Sequence, residues 1–351
     1  MTLVLEPDSG LQIIGEDTRM PDFIGSPTMV EYAAENNVDL AIIVQTADWG
    51  YETDVDGVPT SPLTIRDNLA ARVWPAIDAC NDAHVNFWLE VEWPMYWGAN
   101  RPLPRWPNSP PTTITTTPAE YDALMGPMFE TLENSGSGIT PYYKGYMFEG
   151  VWDIGFKWLH DRNASIGNDL KIWYNFNGDW LYNGNPNTLY GVTPQTWDFR
   201  LQLADEITVT QYLIYNSGVF GPWITGAIRT AVDLMNYQPE GYTKPPIGVQ
   251  SSLGIWGLNE WTMWGYTYHD YRFGFCDTEW PINVQMGRAW YYLNYVLEQT
   301  GQSSFENVNI WTSGFTVPPP VSVTWQEMIA LFGRFCQTYP QIDLKNIAYP
   351  I

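Results

Sequence analysis

Val85-Asn86-Phe87-Trp88-Leu89-Glu90-Val91-Glu92-Trp93 alternates between two kinds of side chain. Successive side chains of a strand point to opposite faces, so Asn86, Trp88, Glu90 and Glu92 share one face, and Val85, Phe87, Leu89 and Val91 the other. The apolar set must meet a layer of helices. The glutamates then point to the inside of a sheet that is covered on its outer face, where a carboxylate is costly unless it is paired or used.

Working outward, similar short apolar runs alternate with helix-like stretches along the chain. The eight runs are Leu11–Gly15, Asp39–Thr46, Val85–Glu92, Tyr143–Glu149, Leu170–Phe176, Ile207–Leu213, Ile247–Ser251 and Val308–Thr312. Strand then helix, repeated eight times, predicts an α/β fold, a single (β/α)8 TIM barrel over residues 1–351. No G-x-G-x-x-G follows the first run, which counts against a dinucleotide-binding sheet. Helix starts support the same reading. Ser26-Pro27, Ser61-Pro62, Thr117-Pro118 and Thr193-Pro194 each set a hydroxyl before a proline, as an N-cap and first helical residue require. Thr324-x-x-Glu327 reads as a capping box for the last helix, and Gln285 to Gln299 as the seventh.

The connections Trp93–Thr117, Trp180–Val192 and Ser252–Ile282 are too long for turns. They are the βα loops after strands three, five and seven, on the face where barrel enzymes keep their sites. Their aromatic content argues for order and for walls of an elongated groove.

Composition narrows the partner. The 351 residues carry 39 Asp plus Glu against 16 Lys plus Arg, a formal charge of −23. Such a surface repels phosphate backbones and anionic lipid, so neither nucleic acid nor a membrane is expected, and no apolar run is long enough to span a bilayer. Nineteen Trp and 22 Tyr exceed what a core needs. Their flat amphipathic rings suit sugar faces, which points to a neutral carbohydrate. Cys80, Cys276 and Cys336 allow at most one bridge, and His84, His160 and His269 form no metal-binding spacing. No metal and no cofactor is therefore expected. Met1 to Gly10 lacks the pattern of a signal peptide. Low Lys, abundant Trp and Tyr and the sequon Asn163-Ala164-Ser165 nevertheless lean toward an extracellular protein, secreted with a leader since removed.

The candidate chemistry lies at strand ends. Glu92 closes the third run, with Glu90 one layer deeper as support for it or as half of an ion pair with an Arg. Glu149 closes the fourth run and is followed by Gly150, which lets a ligand approach. Asp153 reads as the N-cap of the next helix or as a reserve carboxyl. In the fifth run Trp173, Asn175, Asn177 and Asp179 share one parity, although Asp179 also suits a turn. Gln211 and Tyr212 on strand six, Gln250 on strand seven, Gln45 and Asp48 on strand two, and Glu16 and Asp17 on strand one extend the polar set. Trp93, Trp97, Trp106, Trp180 and Trp256 are candidate stacking platforms or packing residues.

The strand ending Gly145-Tyr146-Met147-Phe148-Glu149, the Glu-bearing third strand and the run Val209-Thr210-Gln211-Tyr212 resemble the barrel glycoside hydrolases and related glycosidase-like barrels. In the largest clan of those enzymes the acid/base Glu follows an Asn on strand four, and the nucleophilic Glu ends strand seven. Here Phe148 precedes Glu149 and the seventh run has no Glu, while Asn259-Glu260-Trp261 offers Glu260 from the following loop. The resemblance implies hydrolysis of a neutral poly- or oligosaccharide by two carboxyl groups, Glu149 as acid and Glu92 as its partner. The alternative is a non-catalytic carbohydrate-binding barrel, and a third reading is an enzyme acting on a small neutral metabolite.

Overall fold

The computed structural model describes residues 2–7, 10–16, 28–44, 69–91, 122, 126, 129–134, 140–149, 153–177, 194–211, 231–252, 261–263, 266–268, 296–303 and 305–312. Its elements run β1 (Thr2–Pro7), α1 (Gly10–Ile13), α2 (Met29–Asn36), β2 (Asp39–Val44), α3 (Trp74–Asp82), β3 (Phe87–Val91), β4 (Tyr143–Glu149), α4 (Asp153–Ile166), β5 (Lys171–Asn177), α5 (Pro194–Leu203), β6 (Glu206–Gln211), β7 (Ile247–Ser252), β8 (Trp261–Met263), β9 (Tyr266–Tyr268) and β10 (Asn307–Thr312). Eight parallel strands close into a barrel in the order β1-β10-β7-β6-β5-β4-β3-β2, and β8 and β9 form a separate antiparallel pair. This is the (β/α)8 barrel expected from the alternation of strands and helices.

Seven of the eight predicted runs are barrel strands, and the first is not. Leu11–Gly15 belongs to the short helix α1 and the turn after it, and the first strand is Thr2–Pro7. All six residues of β1 pair with β10, and Val4 and Leu5 also pair with β2. A five-residue apolar run cannot separate strand from helix by periodicity, and the pairing partner that decides β1 lies 305 positions away, as Thr2 pairs with Asn307. Gly10 starts α1 where a Cβ would lie 2.6 Å from the Arg72 carbonyl oxygen, so the chain turns there in close contact with its neighbour.

The cap of α2 also differs from the reading at Ser26-Pro27. Thr28 is the N-cap: its Oγ1 accepts from Glu31 N–H, while the Glu31 carboxylate accepts from Thr28 N–H at 2.6 Å, a capping box. Pro194 does open α5. Ser61-Pro62, Thr117-Pro118 and the capping box at Thr324 fall outside the described residues. Of the seventh helix, residues 296–300 are described, and they are helical.

Outside the barrel wall, Phe87, Leu89 and Val91 join Ile172, Ile207 and Val249 in one cluster with helix residues such as Ala76, Phe156 and Leu201. Tyr146, Phe148, Phe156 and Tyr174 follow one another edge to face or stacked between strands and helix α4. Arg162 on α4 pairs through both guanidinium nitrogens with Glu133, which also accepts from the buried Tyr146 hydroxyl, so α4 and 129–134 are tied to β4. Asn163 lies within α4, is only 6% exposed, and donates from Nδ2 to the Leu170 carbonyl at 3.1 Å. Its amide is occupied by the fold, so the sequon does not mark an exposed acceptor and no longer argues for secretion.

Inside the wall, the strand registers stack side chains in layers drawn from alternate strands, as barrels of this kind do. Val4, Trp88, Trp173 and Gly248 form one layer, Ala41, Met147, Thr208 and Asn309 the next, and Glu6, Glu90, Asn175 and Gln250 the third. Trp88 and Trp173 meet edge to face at 5.1 Å and, with Val4, Ala41 and Met147, make the apolar plug of the barrel.

Candidate functional site

The third layer lies toward the carboxyl ends of the strands: Glu6 and Glu90 each stand one residue before the end of their strand. Glu6, Glu90, Asn175 and Gln250 are all at most 2% exposed. Branched aliphatic residues usually fill such layers; two carboxylates and two amides fill this one. The parity read from Val85–Trp93 is the one observed, since Trp88 and Glu90 face the barrel interior while Phe87, Leu89 and Val91 face the helices.

Glu6 was not identified from sequence because its strand was assigned to 11–15. The alternation Thr2-Leu3-Val4-Leu5-Glu6 was the available signal. Its Oε2 accepts from Gln250 Nε2 at 2.7 Å and from Asn309 Nδ2 at 2.5 Å, and Asn309 Nδ2 also reaches Met147 Sδ at 3.3 Å. A second chain of bonds runs up the opposite wall: Trp173 Nε1 donates to Thr208 Oγ1 at 2.9 Å, and Thr208 Oγ1 donates to Asn175 Oδ1 at 2.5 Å. Among the described residues, these three layers contain no Lys, Arg or His, and no cluster of His, Cys, Asp and Glu could hold a metal ion.

The amino end of the barrel is also polar, but differently built. Asp39 accepts from Asn86 Nδ2 and Trp88 Nε1, and Glu206 accepts from Asn307 Nδ2 at 2.7 Å with Lys171 at 3.7 Å. Burial raises both carboxyl groups above their ordinary range, against the opposing pull of these donors.

Of the residues expected at the site, Glu90, Asn175 and Gln250 are brought together in the third layer. Glu149 is the last residue of β4, with Asn175 as its register partner on β5. Asn177 closes β5 and Gln211 closes β6. Asp153 is the first residue of α4, one position inside the helix and not its N-cap. Glu16 is exposed and follows α1, so it does not end a barrel strand. Asp17, Gln45, Asp48, Glu92, Trp93, Trp97, Trp106, Asp179, Trp180, Tyr212, Trp256 and Glu260 lie outside the described residues. Cys80 is buried and free, and Cys276 and Cys336 also lie outside them.

No family model matches the chain, and no curated protein matches it. Solved structures do share its fold. An endo-β1,6-glucanase superposes with a TM-score of 0.51 at 9% identity, over 89% of this chain and 65% of that one. A fungal endo-β-N-acetylglucosaminidase from glycosyl hydrolase family 18 aligns over 97% of this chain and 99% of its own, at 13% identity and a TM-score of 0.47. A D-tagatose 3-epimerase-like protein aligns over 99% of this chain and 100% of its own, at 12% identity and a TM-score of 0.38. The likeness is one of fold, and glycosidase barrels are among the proteins that share it.

Proposed function

We propose that this chain is a glycoside hydrolase that cleaves a neutral poly- or oligosaccharide outside the cell, with two carboxyl groups at the carboxyl end of its barrel. The observation that carries the reading is the third layer. Keeping two carboxylates, Glu6 and Glu90, at most 2% exposed costs several kcal/mol each before compensation. A barrel that served only as a scaffold has no use for them, whereas a site that handles protons and hydroxyl groups does. A polar floor beneath the strand ends is also where barrel enzymes work.

In this reading Glu149, at the end of β4, gives its proton to the leaving glycosidic oxygen, and Glu92, just past the end of β3, remains ionised and either attacks the anomeric carbon or activates water. Strands β3 and β4 are paired neighbours, with Glu90 in register with Met147, which supports a carboxyl pair drawn from their ends. Glu90 supports Glu92 from two positions earlier on the same strand. Asn175, Asn177, Tyr212 and Gln250 supply hydrogen bonds to sugar hydroxyls, and Trp93, Trp97, Trp106, Trp180 and Trp256 supply stacking faces; Gln211 has the strand parity of Ile207 and Val209, which face the helices, and is assigned no contact. Asp153, Asp179 and Glu260 stand in reserve as carboxyls. The formal charge of −23 is compatible with a neutral glycan.

The sequence of β7, Ile-Gly-Val-Gln-Ser-Ser, carries no carboxylate and favours a second reading, a barrel that binds carbohydrate without turnover. Incubation with β-glucans, xylan, mannan and chitin, followed by reducing-end assay and product mass analysis, separates the two. New reducing ends support the hydrolase; tight binding of one glycan with none produced supports the binder.

A further inference from the structure

Asn175 Nδ2 is a hydrogen-bond donor with no partner, on a side chain that is 0% exposed. An unmet buried donor is costly, and so calls for a reason. Its orientation is fixed from behind. The indole Nε1–H of Trp173 can only donate, so Thr208 Oγ1 accepts it and keeps its own proton to give. That proton goes to Asn175 Oδ1, which accepts from Thr208 Oγ1. The amide oxygen therefore faces Thr208, and the amide nitrogen is turned away from it. The backbone of Asn175 is in register with Glu149, the last residue of β4, two residues before β5 itself ends.

We propose that Asn175 is a specificity-determining residue that presents a donor and never an acceptor to the ligand, and that Thr208 and Trp173 are positioning residues that hold it in that sense. The group it meets is an acceptor oxygen, such as a sugar hydroxyl lone pair, a ring or glycosidic oxygen, or an amide carbonyl. This rests on the carbohydrate reading only for the identity of the ligand; the polarity of the contact follows from the relay. The pairing repays the unmet donor, and a ligand with a second donor at that place is rejected.

The test has one arm without ligand and one with it. In the unsubstituted protein, the Asn175 side-chain amide protons, assigned by through-bond correlation to their own backbone, should exchange magnetisation with water, as a donor that a ligand reaches must. Protection over hours, like that of core amides, overturns the proposal. In the second arm laminaripentaose, cellopentaose and chitopentaose are titrated into the parent, Asn175→Asp and Thr208→Val. Asn175→Asp keeps the shape and replaces the donor by an acceptor, so the pentaose that binds should lose roughly tenfold or more in affinity at neutral pH. As pH falls and the new carboxyl protonates, its O–H restores a donor, and the ratio of variant to parent affinity should recover. Thr208→Val releases the amide and should weaken binding several-fold with no such recovery. A merely structural role would lower stability and leave that ratio independent of pH. Equal affinity of Asn175→Asp and parent at every pH refutes the proposal while leaving the hydrolase reading intact. If no pentaose binds but the amide exchanges with water, the carbohydrate reading falls and the oriented donor stands.

Discussion

Gln250 donates from Nε2 to Glu6 Oε2 at 2.7 Å, joining two residues 244 positions apart inside the barrel. The strands that carry them, β1 and β7, are not neighbours; β10 lies between, and its Asn309 donates to the same oxygen. One carboxylate thus links three strands at the place where the first and last parts of the chain meet. Glu6→Ala removes the acceptor of two buried amides and should lower unfolding stability by about 3 kcal/mol or more, while Glu6→Gln, which keeps one acceptor oxygen, should cost about half as much. Urea denaturation of both variants checks the order; equal losses would show that volume and not hydrogen bonding is at stake.

Glu149→Gln tests the proposed acid. General acid catalysis contributes roughly 10²–10⁴-fold, so polysaccharide turnover should fall by about that factor while binding persists. An aryl glycoside, whose leaving group needs less protonation, should lose much less in bond cleavage. Unchanged polysaccharide turnover would remove Glu149 from the role and leave Glu92, Asp153 and Glu260 to be tried.

Gly145 stands at the register shift between β3 and β4 with φ of +148°, and a Cβ there would lie 2.0 Å from the Lys171 carbonyl oxygen. Backbone cannot yield as a side chain does. Gly145→Ala should therefore destabilise by at least about 3 kcal/mol, the upper end for overpacking, seen as a lowered melting temperature in circular dichroism. A melting temperature within a degree of the parent's would contradict the close approach of β4 and β5.

The half-buried carboxyl of Asp39 has its titration raised above the ordinary 3.8, chiefly by desolvation. The native state then holds the proton more tightly than the unfolded chain does. The stabilising contribution is complete below the unfolded value and is lost as pH rises through the higher native one. Asp39→Asn should flatten the decline of unfolding free energy with pH in the interval just above pH 4. Identical slopes for parent and variant would mean that Asp39 titrates alike folded and unfolded.

Expression through a glycosylating secretory route should leave Asn163 unmodified, because its Nδ2 is bonded to Leu170 within a buried helix face. Peptide mass analysis decides this. A glycan at Asn163 in folded protein would show that α4 does not pack as described.

The sequence by itself determined the strand and helix alternation, and with it a parallel closed sheet. It also determined which side of β3 faces inward, because a period of two with Phe87, Leu89 and Val91 on one side and Trp88 and Glu90 on the other admits one burial only. Asn175 and Gln250 were legible in the same way, as polar residues on strands otherwise rich in buried apolar groups. Thr28 with Glu31 was a legible capping box that the neighbouring Ser26-Pro27 outweighed. Tertiary structure decided the first strand, since Thr2–Pro7 is a strand by virtue of its pairing with Asn307–Thr312, which the short pattern Thr2–Glu6 does not by itself establish. It alone put Glu6 beside Gln250 and Asn309, Asn163 out of reach of solvent, and Thr208 behind Asn175. Periodicity reports which face a side chain takes, but the neighbours it meets across a barrel are set by register and shear, which belong to the closed sheet and to no single strand.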